Sequence, residues 1–285
     1  MVHQRNIELA SSTPTLLPRN LGSLLDETFS IFGRHFWRFT GLVAVTQVPF
    51  SLVSLLLLQV LDAGSDGGDL ASFTVAFVLG IFGTMFAYAA AVYAVSQQYL
   101  TRGIAIRSCY DRAWWRVMSL VVLTIVLAAT MSIVVVGPSL TDKLLVIAFA
   151  TMLAVLSLAL AIYWSMAVQA VIVEGYKAVG ALKRSFALIR GSWWRIFGIT
   201  VVLSLVALGL GILVSLPFAL ALGVSGAESG SALGNLLLFL ADVMVRVAVL
   251  PVLFIAGTLL YYDLRVRNEQ YDFATLSSEL EIVTV

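Results

Sequence analysis

The 285-residue chain is poor in the residues that carry most protein chemistry: one cysteine, two histidines, and only 12% Asp, Glu, Lys and Arg. A single thiol, Cys109, excludes an internal disulfide and any multi-thiolate metal site. With His3 and His35 as the imidazoles, a zinc or iron centre has almost no ligand supply, and neither metal nor cofactor is expected. No Walker-type loop, GxSxG, HExxH or paired-cysteine spacing occurs. No nucleophile stands beside a candidate base, so there are no catalytic residues to name and the chain is not expected to be an enzyme. The formal net charge of +1 identifies no partner by itself, and a nucleic-acid partner is not expected.

What the chain has is apolar length. Sixty per cent of residues are hydrophobic and the mean hydropathy is +1.00, against roughly half apolar and a quarter charged in soluble domains. Lipid accepts such a surface and water does not. Crossing a hydrocarbon core of about 30 Å takes about 20 apolar residues, and six segments qualify: 39–61, 70–98, 117–136, 144–173, 196–222 and 235–262. Pro49, Pro217 and Pro251 fall inside spans, where kinks are expected instead of breaks. Residues 1–18 lack the pattern of a cleavable signal and are expected to be a disordered tail. The membrane domain then covers 19–272, and 273–285 forms a C-terminal tail.

Five of the six tryptophans fall in three clusters, each closed by an arginine: Phe36-Trp37-Arg38, Trp114-Trp115-Arg116 and Trp193-Trp194-Arg195. The arginines are 78 and 79 residues apart, and a long apolar stretch follows each. Such a period indicates a repeated unit. Each unit (about 20–98, 101–173 and 174–262) reads as an amphipathic lead-in, an aromatic–Arg step and two spans. The expected fold is an all-α integral membrane protein of six transmembrane helices, built as three parallel helical-hairpin repeats, each preceded by an interfacial helix.

The lead-ins have apolar stripes: Leu21, Leu24, Leu25, Phe29, Phe32 and Phe36 in the first, and Val179, Leu182, Phe186, Ile189 and Trp193 in the third. Between spans 2 and 3 the stripe is shorter, through Ile106, Cys109 or Tyr110, and Ala113. These stripes are expected to face the acyl boundary, and Ser23 to cap the first helix. Fifteen of the seventeen Lys and Arg lie in the N-terminal tail, the 2–3 and 4–5 connections or the C-terminal tail; Lys143 and Arg246 are the exceptions. The positive-inside rule therefore puts both termini in the cytoplasm of a multi-pass cell-membrane (plasma or inner membrane) protein.

Three groups of residues carry the functional possibilities. At the aromatic–Arg steps, Trp37, Arg38, Trp115, Arg116, Trp194 and Arg195 either set the depth of each hairpin or hold anionic lipid headgroups, with Lys183, Arg184 and Arg190 widening the third position. Asp242 and Arg246, four residues apart in span 6, form an intramembrane charged pair that should face the bundle interior or water. Past span 6, Asp263, Arg265, Arg267 and Asp272 suggest an ion-pair network that Glu174 joins. Gln47, Gln59, Gln97, Gln98 and Gln169 offer hydrogen bonds between helices.

The lead-in 21–32, the stretch 181–195 and the exit 261–272 (YYDLRVRNEQYD) resemble the membrane domain of glycerophosphoryl diester phosphodiesterases over residues 20–272. In fused members of that family a soluble barrel carries the phosphodiesterase activity. The present sequence contains no such barrel, so the resemblance implies a stand-alone membrane domain without that activity. The expected role is a non-catalytic scaffold or auxiliary module that binds anionic lipid headgroups or a cytoplasmic protein partner. The alternative is a transporter for a small or lipidic solute.

Overall fold

The computed structural model describes residues 20–62, 68–99, 105–136, 144–226 and 231–269. The two tails, Asp272, Lys143 and the side chain of Gln59 lie outside the described residues. Every described element is a helix. In chain order they are α1 (Leu21–Arg34), α2 (Phe36–Asp62), α3 (Gly68–Tyr99), α4 (Ile106–Trp115), α5 (Val117–Val136), α6 (Leu144–Trp164), α7 (Ala167–Ile172), α8 (Ala178–Ile189), α9 (Trp193–Ser225) and α10 (Ala232–Glu269).

Five stretches are long and apolar enough to cross a membrane: Phe36–Leu57, Phe77–Tyr99, Val155–Ile172, Trp193–Ser225 and Leu233–Glu269. Helix α5 spans 20 residues, of which Val117–Val126 forms a shorter apolar stretch. Pro49, Pro217 and Pro251 all lie within continuous helices.

Two boundaries differ from the sequence expectation. The fourth apolar segment breaks at Ser165–Met166, between α6 and α7. The Ser185 hydroxyl sits in the gap, donating to the Tyr163 carbonyl at 2.7 Å and accepting from the Met166 amide at 3.1 Å. A side chain inserted into the backbone ladder is an established cause of a helix kink. At the other end of the chain, α10 does not stop near residue 262 but continues to Glu269.

The lead-in helices are α1, α4 and α8, and their packed faces also differ. Asn20, not Ser23, caps α1, its side chain accepting from the Ser23 amide at 2.9 Å. Leu24, Thr28 and Ile31 are buried while Phe29 and Phe36 are exposed. In α8 the buried residues are Ala178, Ala181, Ser185, Leu188 and Ile189, so of the expected stripe Ile189 is buried whereas Val179 and Phe186 are exposed. The helices thus have two apolar faces. Small or aliphatic residues pack on the bundle, and the bulkier stripe is only partly covered.

Packing between helices follows a cyclic order. Helix α10 packs on α2, α3 packs on α5, and α6 meets α9. Beneath them α1 lies against α10, α4 against α3, and α8 against α6 and α7. Helices α3, α7 and α10 converge on one polar node in the core. There the Gln169 amide donates to the Tyr88 hydroxyl and, at 3.3 Å, to the Gly257 carbonyl. The closeness of Tyr88 leaves no room for a Cβ at position 257.

Candidate functional site

Each aromatic–Arg step lies where a lead-in helix meets the long helix that follows it. Phe36 and Trp193 open α2 and α9, while Trp114 and Trp115 close α4 and Arg116 forms the break before α5. One indole at each corner is almost fully exposed: Trp37 at 82%, Trp115 at 84% and Trp194 at 78%. Exposure this large for the biggest apolar side chain is costly in water and natural at a lipid headgroup layer.

The arginines at those corners are not equivalent. Arg38 and Arg116 have no ion-pair partner among the described residues. Arg195 pairs with Asp263 at 2.7 Å, and Asp263, whose side chain is fully buried, is also held by Arg267 at 3.1 Å. Arg184 is likewise committed. Its guanidinium contacts both oxygens of Glu174 (3.1 and 2.8 Å) and reaches Glu269 at 2.7 Å. These contacts hold the Arg184 pKa above its ordinary value even though burial alone would lower it. Lys183 is exposed on α8.

Of the exit residues singled out in the sequence, Arg265 lies near Glu174 while Asp263 and Arg267 pair with each other, and Glu174 has one partner that charge patterning could not show. Tyr261 donates its hydroxyl to Glu174. Arg265 lies 3.9 Å from Glu174 and 3.1 Å from Glu269. The turn that delivers Glu174 needs Gly175, whose φ of 76° is left-handed. Because α10 is helical through Glu269, Asp263–Arg267 and Arg265–Glu269 become i,i+4 pairs. Their partners on α8 and α9 join the C-terminal helix to the third lead-in and corner.

Arg190, like Lys183, remains exposed. It lines a cavity of about 620 Å³, together with Tyr163, the Gly191–Ser192 backbone, Trp193, Trp194 and Arg195. Ser192 opens α9 without a capping side-chain bond, so the amide N–H groups of the first turn of a 33-residue helix are left without intrahelical acceptors. The Trp193 indole N–H is buried and has no hydrogen-bond partner among the described residues. Cationic guanidinium, helix dipole and free donors of this kind select anions.

Asp242 and Arg246 do pair, the guanidinium Nε lying 2.9 and 2.8 Å from the two carboxylate oxygens. They are not inside the bundle: the side chains are 48% and 38% exposed. Arg246 leans toward Gly80 of α3. Asp242 lies 21 residues before Asp263 on one helix, about 31 Å at 1.5 Å per residue, close to one hydrocarbon thickness.

The model of a domain of unknown function, DUF7847, matches residues 38–208, from the first corner arginine to the middle of α9. The chain belongs to this family. All three corner arginines and the second and third aromatic clusters lie within the DUF7847 match, whereas Phe36, Trp37 and the Asp242–Arg246 pair lie outside it. No curated protein and no solved structure matches the chain.

Proposed function

We infer that this DUF7847 protein is a non-catalytic membrane module that gathers anionic phospholipid at its basic face. The observation that carries the reading is the set of three exposed indoles, Trp37, Trp115 and Trp194, each beside an arginine and each at the turn from a lead-in helix into a span. Indoles fix depth at the headgroup layer, and the guanidiniums of Arg38 and Arg116 meet lipid phosphates.

The accompanying architecture is six crossings in three parallel hairpins, α2–α3, α5–α6/α7 and α9–α10, with a pseudo-threefold arrangement. Three features support it. Each hairpin's second helix packs on the first helix of the next, in a closed cycle. Each lead-in sits beneath the second helix of the preceding hairpin. The three second helices meet at Tyr88, Gln169 and Gly257. Charge asymmetry assigns the corners and both termini to the cytoplasmic side of the cell membrane. The Asp242–Arg246 pair then falls at the outer edge of the hydrocarbon, where exposure costs little, which favours a module over a transporter with a charged path. Kinship with the membrane domain of glycerophosphoryl diester phosphodiesterases belongs to the same proposal. Two of the three stretches that carry it, 181–195 and the described part of 261–272, meet in space at Glu174 and Asp263.

The test is lipid selectivity. Protein purified in mild detergent from membranes containing phosphatidylglycerol and phosphatidylethanolamine should retain an excess of the anionic lipid by mass spectrometry. The double variant Arg38→Ala, Arg116→Ala should lose most of that excess. A wild-type protein carrying the two lipids in membrane proportion defeats the reading.

A further inference from the structure

The first corner holds the one imidazole among the described residues. Three residues before the corner arginine stands His35, where the other two steps have Ala113 and Ser192. His35 closes α1, and its carbonyl accepts from the Arg38 amide at 3.0 Å and the Phe39 amide at 3.1 Å, so one turn presents both the ring and the Arg38 guanidinium. Phe32, Phe36 and Trp37 run beside them edge to face, with centroids 5.2 Å apart at both contacts. Little opposing charge reaches this turn. Helix α1 carries Asp26 and Glu27 two turns back, while Asp62 of α2 and Asp69 of α3 lie at the far ends of their helices. Helix α4, which touches α2 where Tyr110 donates to the Leu42 carbonyl, carries Arg107, Asp111 and Arg112. On α10, Asp263 is held by Arg195 and Arg267, and Glu269 by Arg184 and Arg265. The charges that act on the ring are those of Arg38 and then Arg34, and they add to burial in disfavouring its proton. Arg34 itself is bonded back to the Ser30 hydroxyl at 2.8 Å.

We propose that the first corner is a proton-coupled headgroup site, in which Arg38 and protonated His35 together hold the phosphate of one anionic phospholipid. Such a site rests on the lipid-gathering reading above and adds to it a second ligand and a dependence on pH at one corner. Two cations on one turn repel each other, and a phosphate bound between them removes that repulsion. A proton on His35 and a phosphate at the corner therefore strengthen each other by the same factor. Without lipid the ring is neutral at pH 7, and the corner meets phosphate through Arg38 alone. As pH falls through the imidazole range the corner gains a second cation, and lipid is held more tightly. The second corner has Arg116 and no imidazole, so it stays constant over the same range. The exposed Trp37 indole beside the site suits a phosphate carried in a lipid layer, not one free in water.

The full chain is to be placed in phosphatidylcholine nanodiscs containing a small fraction of phosphatidylglycerol, whose phosphodiester keeps its single charge throughout. Retained phosphatidylglycerol is counted by mass spectrometry after extraction at about pH 7.5 and about pH 5.5, on either side of the imidazole range. Wild type should retain about fivefold more at the lower pH, within the factor of ten that a pKa change of one represents. His35→Gln should retain the same amount at both, and Arg38→Ala should lose the pH-dependent part, whereas Arg116→Ala should keep it. The wild-type ring gives a second readout. Its NMR titration midpoint, assigned by comparison with His3→Gln, should rise when phosphatidylglycerol is added and rise less in Arg38→Ala. Equal retention by wild type at the two pH values removes His35 from the site and leaves the wider reading standing. A pH dependence that survives in His35→Gln, or vanishes in Arg116→Ala, also overturns the site. Absence of anionic enrichment at either pH defeats both readings. Displacement by excess glycerol phosphate overturns the assignment to a lipid.

Discussion

The Ser96 and Tyr262 hydroxyls lie 2.6 Å apart, and eight residues earlier on each helix the Tyr88 ring stacks at 4.7 Å on Phe254. Another eight residues back, Arg246 approaches Gly80. All three pairs are 166 residues apart in sequence. A constant separation with both numbers rising together means that α3 and α10 run parallel and in register over 16 residues, about 24 Å. Parallel α3 and α10 are what the proposed first and third hairpins require.

That seam makes Gly257 indispensable. A methyl group there would collide with the Tyr88 hydroxyl, which cannot retreat because its ring is stacked on Phe254 and its oxygen is held by Gln169. Gly257→Ala should destabilise the protein by about 1–3 kcal/mol, the usual scale of overpacking, read as a lower thermal midpoint in detergent. Adding Tyr88→Phe removes the colliding atom and should restore part of the loss.

The two aspartates of α10 should behave differently. Asp263 is buried between Arg195 and Arg267, so Asp263→Ala leaves two guanidiniums without their shared carboxylate and should cost about 3–5 kcal/mol. Asp242 is half exposed on the protein surface, and Asp242→Asn should move the thermal midpoint by little. Comparison of the two midpoints is the measurement.

Cys109 is buried on α4, and burial pushes its thiol up to about 11, only partly offset by Ser108. Little thiolate exists at neutral pH, and access is poor. Maleimide should leave Cys109 unmodified in the folded protein, with or without permeabilisation, and modify it on denaturation. Labelling of native wild type at pH 7 contradicts this placement.

His35, at the break between α1 and α2, has its pKa lowered below 6.5 by burial and then by the nearby charges of Arg38 and Arg34. A depressed histidine favours folding fully above the unfolded pKa, and that contribution is lost as pH falls through 6.5 toward the folded value. The ring should be neutral at pH 7, with an NMR titration midpoint below 6.5. Arg38→Gln should move that midpoint upward.

The apolar runs, the aromatic–Arg corners, the i,i+4 relation of Asp242 to Arg246 and the charged exit after Tyr262 were all legible in the sequence because each is a local pattern. The Tyr88–Gln169–Gly257 node was not, since its members are 81 and 88 residues apart and only tertiary packing joins them. Nor was the Ser185 insertion, which depends on a hydroxyl of α8 reaching the end of α6. The α8 face misled for a different reason. Large apolar residues draw the eye to Val179 and Phe186, yet close packing selects Ala178, Ala181 and Ser185. Tyr261 is invisible to a count of charges although its hydroxyl completes the Glu174 cluster.

The most direct measurement is single-cysteine labelling in a Cys109→Ala background, with thiols placed at Trp37, Trp115, Trp194 and Val224, all of them exposed. With an impermeant maleimide on intact cells, the account predicts that Val224→Cys reacts at once, while the three corner thiols react only after permeabilisation. A single corner thiol that labels from outside alongside Val224→Cys would contradict the three parallel hairpins.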